Sequence, residues 1–329
     1  MKQSLYTLAT RFVIEVKAIY RTLTAKKLNL ATQPSTKVKR GNPIQYGAVL
    51  FVALLMAACS GKQHHSDERI ITVTIEPIRY FTEQIAGDKF KVVSMVPGGS
   101  SPETYDPTPQ QLVHLAGSEA YFRIGYIGFE QTWMQRLVEN APQMEVFDLS
   151  KGISLIKEEA HQHGDHFHAG GVEPHLWNSP TNARLITQNI YQALCQLDPD
   201  NKEFYTQNLN KVNREIEDTD KEIRELLSGQ HDKAFLIYHP ALSYYARDYG
   251  IHQICIEENG KEPSASHLKE LADLCKQGDI RVVFIQKEFD TRNAELIAKE
   301  AGAQLISINP LNYEWKEELI QTTKALCHE

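Results

Sequence analysis

Short runs of β-branched and aromatic residues alternate with helical patterns in two stretches of the chain, and this alternation limits the possible folds more than any other feature. The predicted strands include "IITVTI" (70–75) and "KVVSMV" (91–96) in the first stretch, and "RVVFIQ" (281–286) and "QLISI" (304–308) in the second. Strands that alternate with helices form parallel sheets whose faces the helices cover. We therefore predict an α/β fold of two lobes, each a parallel sheet flanked by helices.

A long helical pattern separates the two stretches. It begins at Asp198 and ends at Gly229, which is about 30 residues or roughly 45 Å. Its apolar positions fall on one face: Leu209, Val212, Ile216, Ile223 and Leu226. Because this stripe is thin and short for a coiled coil, we predict a rigid strut that packs along both lobes. The predicted organisation is a first lobe over 69–180, a linking helical segment over 181–230 and a second lobe over 231–329.

The amino-terminal 59 residues are predicted to be a leader. They carry nine Lys or Arg and one acid, and the apolar run "YGAVLFVALLMAAC" has the length of a signal-peptide core. The run ends in Ala57-Ala58-Cys59, which resembles a bacterial lipobox. We predict that Cys59 is lipidated and that 60–68 form a polar tether, an ordinary cleaved signal being the alternative. Residues 1–37 make the leader longer than a signal peptide requires. We interpret them as a non-native extension.

Charge and cysteine content restrict the partners. Without the leader the chain has 26 basic and 41 acidic residues, a net charge of about −15. This balance argues against binding to nucleic acid or an anionic bilayer through bulk charge, and it favours cations. Four cysteines remain without a CxxC spacing, and we expect disulfides or buried thiols: Cys195, Cys255, Cys275 and Cys327.

The loop over 157–171 is rich in histidine. His161, His163, His166 and His168 lie among Gly, Asp and Glu, and we expect this segment to be a flexible loop. Neutral imidazoles bind zinc near pH 7. The alternative is a solvated loop without a function.

We predict that polar residues just after the predicted strands, together with His175, form a binding site. His239 follows "FLIY", Glu103 lies in the loop after "VVSMV", and Asn309 follows "QLISI", while His175 lies in "EPHLWNSP" at the lobe junction. Ligands bind beyond the carboxyl ends of parallel strands. Two imidazoles and a carboxylate form a donor set for Zn²⁺. Each residue alone is an ordinary loop residue, and spacing does not show that they converge.

These motifs resemble a known family over nearly all of 69–326. "PGGSSPETYDPTPQQLVHLAGSEAYFRIG" and "EPHLWNSP" are similar to segments of the zinc- and manganese-specific solute-binding proteins of ABC importers. The resemblance places Glu103 where the family has its first histidine ligand, and His175 at the second. His239 matches the third ligand, which is a His in zinc members and a Glu in manganese members. Asn309 stands at the fourth position, where an Asp is usual.

The resemblance implies a zinc-type receptor that is not an enzyme. Such a protein would be exported, anchored on the extracytoplasmic face (periplasm or cell surface) and monomeric, and it would deliver Zn(II) to a separate permease and ATPase. Zinc members of the family carry an acidic, histidine-rich loop just before the second ligand, where 157–171 lies, and our hypothesis is that the histidines of this loop gather or sense metal. A metal-binding adhesin or buffer is the main alternative, followed by a Mn(II) receptor and a zinc hydrolase, for which the chain has no HExxH pair.

Overall fold

The computed structural model of the protein describes residues 68–157, 161–163, 166–168, 171–229, 233–258, 260–278 and 280–327. The predicted leader, Cys59 and the tether up to residue 67 lie outside this part, so those predictions stay untested. In the described residues, no helix combines the length and the apolar character needed to cross a membrane.

The first lobe contains a four-stranded parallel sheet in the order β2-β1-β3-β4. Its elements alternate along the chain as predicted: β1 (Ile70–Val73), α1 (Glu76–Ala86), β2 (Lys91–Ser94), α2 (Pro109–Leu115), β3 (Ala120–Arg123), α3 (Gly128–Asn140) and β4 (Glu145–Asp148). β1 ends two residues earlier than predicted because Ile75 is already the N-cap residue of α1, which has Pro77 in its first turn.

The histidine-rich segment contains two short strands, β5 (His161–His163) and β6 (His166–His168). They pair antiparallel, with His161 opposite His168 and His163 opposite His166. The expectation of a flexible loop is therefore wrong for the backbone of these six residues. The His-x-His spacing has the period of two that a strand requires, and a bridge between Lys157 and Val172 closes the segment at its base.

Two helices link the lobes. α4 (Pro180–Leu197) is capped by the Ser179 hydroxyl, and α5 (Lys202–Leu226) follows after one 3₁₀ turn at Pro199–Asn201. α5 has 25 residues, fewer than predicted, because the first residues of the pattern form that 3₁₀ turn. The predicted face of α5 is buried at Leu209, Val212, Ile216 and Ile223, and Leu226 is half-buried.

The second lobe repeats the architecture with a parallel sheet in the order β10-β9-β7-β8. Its elements are β7 (Ala234–Ile237), α6 (Ser243–Tyr249), β8 (His252–Cys255), α7 (Ala265–Gly278), β9 (Val282–Gln286), α8 (Arg292–Ala301), β10 (Gln304–Ile308) and α9 (Trp315–Cys327). The predicted α/β fold with two sheets and a long helix is confirmed.

The long helix supports both lobes, as predicted for a strut. α5 packs against α4, against α1 of the first lobe and against α9 of the second lobe. One cluster of buried side chains runs from the first sheet through α4 and α5 to α6 and α9. A second cluster fills the space between the second sheet, α7 and α8. The boundaries at 180 and 230 stay a prediction, because the apolar core is continuous across them.

The four cysteines of the described residues are free thiols. Cys275 is buried between α7 and the second sheet, and burial raises its pKa to about 11. Cys255 donates its Sγ–H to the carbonyl of Tyr238. We expected either disulfides or buried thiols. The structure shows four thiols and no disulfide among these residues.

Candidate metal centre

His175 is held rigidly at the junction of the lobes. It precedes the 3₁₀ turn Leu176–Asn178, which leads into α4, and it is 5% exposed. Its Nδ1 lies 2.5 Å from Oε1 of Glu173, whose Oε2 accepts a hydrogen bond from the Ser243 hydroxyl at 3.1 Å. Because an Nδ1–H donated to a carboxylate leaves the Nε2 lone pair free, Glu173 prepares His175 to act as a ligand through Nε2.

His239 has a matching environment in the second lobe. It follows β7 by two residues, and its Nδ1 lies 2.9 Å from Oε1 of Glu257. The Gln286 side chain bonds both backbone groups of His239: its Oε1 accepts from the N–H at 3.3 Å, and its Nε2 donates to the carbonyl at 2.5 Å. The Phe289 ring stacks on the imidazole with centroids 5.1 Å apart. These contacts fix the ring with Nε2 exposed to the cleft.

The two imidazoles converge. Nε2 of His175 lies 3.3 Å from Nε2 of His239. Two nitrogens bound tetrahedrally to one zinc, each at 2.0–2.1 Å, stand about 3.3–3.4 Å apart. When both Nδ1 atoms donate to carboxylates, neither Nε2 of the neutral rings carries a hydrogen, and the two lone pairs face each other. A cation placed between the rings would accept both lone pairs.

The carboxylates around the rings favour positive charge there. Burial alone lowers the pKa of His175, but Glu173, with weaker contributions from Glu103 and Glu257, raises that pKa above its ordinary value. Burial likewise opposes the shift at Glu173, where His175 nevertheless lowers the pKa. The same field that favours a proton on His175 favours a divalent cation at its Nε2.

Glu103 lines the same cleft from the loop between β2 and α2. Its side chain is exposed, and its Oε2 accepts a hydrogen bond from the N–H of Gly128 at 3.2 Å. Among the residues that the structure describes, no three His, Cys, Asp or Glu side chains are arranged to hold one ion. The structure thus brings His175 and His239 together and leaves the participation of Glu103 a prediction.

The cleft between the rings has room for one ion and little else. Its volume is about 20 Å³, and a single water requires roughly 10–15 Å³ on the same measure. No Lys or Arg lines it within the described part of the chain. Sites for organic ligands are usually 300–1,000 Å³. The dimensions therefore favour a bare cation.

Asn309 directly follows β10, as predicted, and its side-chain Oδ1 is buried without a hydrogen-bond partner in the described residues. Its N–H donates to Oε1 of Glu318 at 2.6 Å, and the Asn312 amide donates to the other oxygen of that carboxylate at 3.1 Å. These bonds tie the turn to α9. Pro310 and Leu311 line the cleft, whereas Asn309 does not. Its role as the fourth ligand stays a prediction.

Four residues of the site were missed by the sequence reasoning. They are Glu173, Glu257, Gln286 and Glu288. Three of them lie at or just beyond the carboxyl ends of β8 and β9, where the same strand-end rule that selected His239 applies. The polar residues at these strand ends were therefore detectable from the sequence. Glu173 lies two positions before His175 in "EPH" and was detectable as well.

Comparison with known proteins identifies the family. The family described as "Zinc-uptake complex component A periplasmic", ZnuA, matches residues 71–324. The chain belongs to this family. The ZnuA-type fold is also seen in a crystal structure of a ZnuA deletion mutant with zinc bound, which is 36% identical, covers 80% of this chain and 99% of that chain, and superposes with a TM-score of 0.73.

Two curated relatives support the assignment to the ZnuA family. The high-affinity zinc uptake system protein ZnuA of Bacillus subtilis is 30% identical over 280 residues, which are 80% of this chain and 87% of that protein. The zinc-binding lipoprotein AdcA of Streptococcus pneumoniae is 28% identical over 279 residues, 81% of this chain. The chain spans about half of AdcA, 54% of its length.

Gly128 permits the close approach of Glu103 in this member of the ZnuA family. A Cβ at position 128 would lie 2.4 Å from Oε2 and 3.1 Å from Cα of Glu103. Gly128→Ala is expected to displace Glu103 and to weaken zinc binding about tenfold, the lower end of the effect of disturbing a metal site. Gly98→Ala, in the same loop, is the matched control because its Cβ would meet nothing within 4 Å. Equal affinities of the two variants in a chelator competition assay would show that Glu103 does not contribute.

Proposed function

We propose that this chain is an extracytoplasmic receptor that binds Zn(II) and delivers it to an ABC-type metal importer. The observation that carries the proposal is the pair of Nε2 atoms 3.3 Å apart in a cleft of about 20 Å³. Two imidazoles oriented by carboxylates are a typical half of a zinc site. The names of the relatives, a zinc uptake protein and a zinc-binding lipoprotein, support the same cargo.

Zinc is favoured over manganese by the donor atoms. Imidazole nitrogen suits zinc, whereas carboxylate, carbonyl and water oxygens suit Mn²⁺. His239 supplies a second nitrogen from the second lobe, where a carboxylate would have shifted the balance toward manganese. A binding role also fits the small volume of the cleft, about 20 Å³, better than hydrolysis of an organic substrate does.

Competition titration of the protein with zinc and manganese tests the proposal. We expect Zn²⁺ to displace Mn²⁺ with at least about a hundredfold preference, since zinc lies well above manganese in the general affinity order for nitrogen donors. The measurement is the displacement of each metal from a chromophoric chelator at fixed pH. A preference for Mn²⁺ would overturn the zinc assignment and leave a manganese receptor.

Delivery requires partners and an anchor. We propose a permease and an ATPase as partners, because the relatives belong to uptake systems and this chain contains no P-loop sequence. Lipidation at Cys59 would hold the receptor at the membrane, as the lipoprotein name of AdcA suggests. The placement is then the periplasm or the cell surface, and the receptor acts as a monomer.

We propose that the histidine-rich loop over 157–171 gathers or senses zinc for the cleft. Its four histidines occupy two directly opposed register pairs, 161 with 168 and 163 with 166. Four histidines within two paired three-residue strands are a density of imidazoles suited to weak, exchangeable zinc binding.

Removal of 158–171 is expected to lower the zinc stoichiometry and leave the tight site intact. Since Lys157 and Val172 already form a bridge, a short glycine link can join them without strain elsewhere. The variant in which the four histidines are replaced by Gln is the matched control, because it keeps the length of the segment. Native mass spectrometry gives the count of bound zinc. An unchanged count together with unchanged uptake would remove the gathering role.

A further inference from the structure

Glu288 is a half-buried acid of the cleft with no role assigned to it above. It follows β9 by two residues and lines the cleft together with His175 and His239. Its Oε1 is inaccessible to water and has no hydrogen-bond partner in the described part of the chain. An unpaired carboxylate oxygen in such a position is destabilising unless a cation or donor satisfies it.

The loop that carries Glu288 is fixed to His239 on both sides. Gln286, two positions before, bonds the N–H and the carbonyl of His239. Phe289, the next residue, stacks on the His239 ring at an interplanar angle of 23°. Glu288 lies between Gln286 and Phe289 in the chain. Because both of these residues contact His239, they fix the backbone of Glu288 relative to the imidazole.

The charge around the rings favours a cation. Glu173 and Glu257 accept from the Nδ1 atoms of the histidines, and Glu103 and Glu288 are the acids that line the cleft. With neutral imidazoles these four carboxylates concentrate negative charge at the Nε2 atoms, which favours a divalent cation there. Since Glu173 and Glu257 are bonded to the Nδ1 atoms, Glu103 and Glu288 are the acids of the lining that are left to contact the ion.

Asn309 is a weaker candidate for the same role. Its Oδ1 is likewise buried without a hydrogen-bond partner in the described part of the chain. Asn309 does not line the cleft, however, whereas its neighbours Pro310 and Leu311 do. A neutral amide oxygen also compensates less of the charge of zinc than a carboxylate does.

We infer that Glu288, and not Asn309, supplies the fourth donor to the metal. The resulting site has two imidazoles and two carboxylates: His175, His239, Glu103 and Glu288. This inference rests on the proposed function, since it assigns a ligand to the proposed zinc site. Glu103 and Glu288 line the cleft together with the two imidazoles, and two carboxylates added to two imidazoles would give the four donors that zinc prefers.

Zinc affinity of Glu288→Gln, Asn309→Ala and His175→Ala, each measured against the parent chain, tests the inference. Glu288→Gln keeps the size of the side chain and removes its charge. We expect it to weaken zinc binding more than about 100-fold, beyond the usual effect of residues that only orient ligands. Asn309→Ala is expected to stay within about threefold of the parent. Cobalt(II) loaded in place of zinc reports the ligand set independently, because loss of a carboxylate changes the visible absorption of the ion.

The outcomes separate the inference from the proposed function. A Glu288→Gln variant with parental zinc affinity and an unchanged cobalt spectrum, beside a His175→Ala variant that has lost binding, overturns the role of Glu288 alone. A large loss in Asn309→Ala would assign the fourth position to Asn309 instead. Parental binding in His175→Ala would overturn the zinc receptor itself. Circular dichroism of each variant confirms that the comparison is between folded proteins.

Discussion

His175→Ala is expected to lower zinc affinity by more than about 100-fold, because it removes a ligand outright, whereas loss of a residue that only orients a ligand typically costs 10- to 100-fold. His175 contributes one of the two Nε2 atoms that lie 3.3 Å apart. Its removal also leaves Glu173, which is 4% exposed, without its imidazole partner. The measurement is competition with a chromophoric zinc chelator at constant pH.

The control for this variant is His114→Ala. His114 is an exposed histidine in the last turn of α2 and does not line the cleft. It is expected to bind zinc as the parent does. A His175→Ala variant that is folded and binds one zinc with parental affinity would place the site elsewhere in the chain.

Trp177→Ala is expected to lower the free energy of unfolding by about 3–5 kcal/mol, the usual cost of truncating a buried Trp. Trp177 is 1% exposed and joins the two lobes. Its indole donates to the carbonyl of Pro310 at 2.7 Å, and its own carbonyl accepts from the indole of Trp315 at 2.7 Å. Since Pro310 lines the cleft, the loss should also weaken zinc binding.

Trp177→Phe separates packing from hydrogen bonding. It keeps most of the ring volume but leaves the Pro310 carbonyl unpaired, which costs about 1–3 kcal/mol. Trp133→Phe is the matched control, because Trp133 is half-buried and its indole donates to exposed Asp106 at 3.1 Å. Denaturant titration gives the free energies. Equal stabilities of Trp177→Phe and Trp133→Phe would show that the bond to Pro310 does not hold the lobes together.

The architecture was predictable because its causes are local. Alternating β-branched runs and helical patterns predict the strands, and the stripe from Leu209 to Ile223 predicts the buried face of α5. The details that failed depend on competition between neighbours. The proline and polar residues at 199–201 form a 3₁₀ turn instead of the first turn of α5, and the His-x-His spacing forms a hairpin that a composition rich in Gly and Asp concealed.

The site was predictable only in part. Strand-end positions and the family resemblance selected His175 and His239, which the structure brings together. The partners that orient them, Glu173 and Glu257, depend on side-chain directions across two loops, which spacing does not encode. Glu288 lacks any motif of its own, and its significance comes from a buried oxygen without a partner, a property of the folded chain alone.

Anomalous diffraction at the zinc edge, from crystals of the zinc-loaded protein, locates the bound ion. We expect one strong peak between the lobes, about 2.0–2.1 Å from the Nε2 atoms of His175 and His239. Zinc held tightly at any other place, with that position between the two imidazoles vacant at saturating metal, would contradict it.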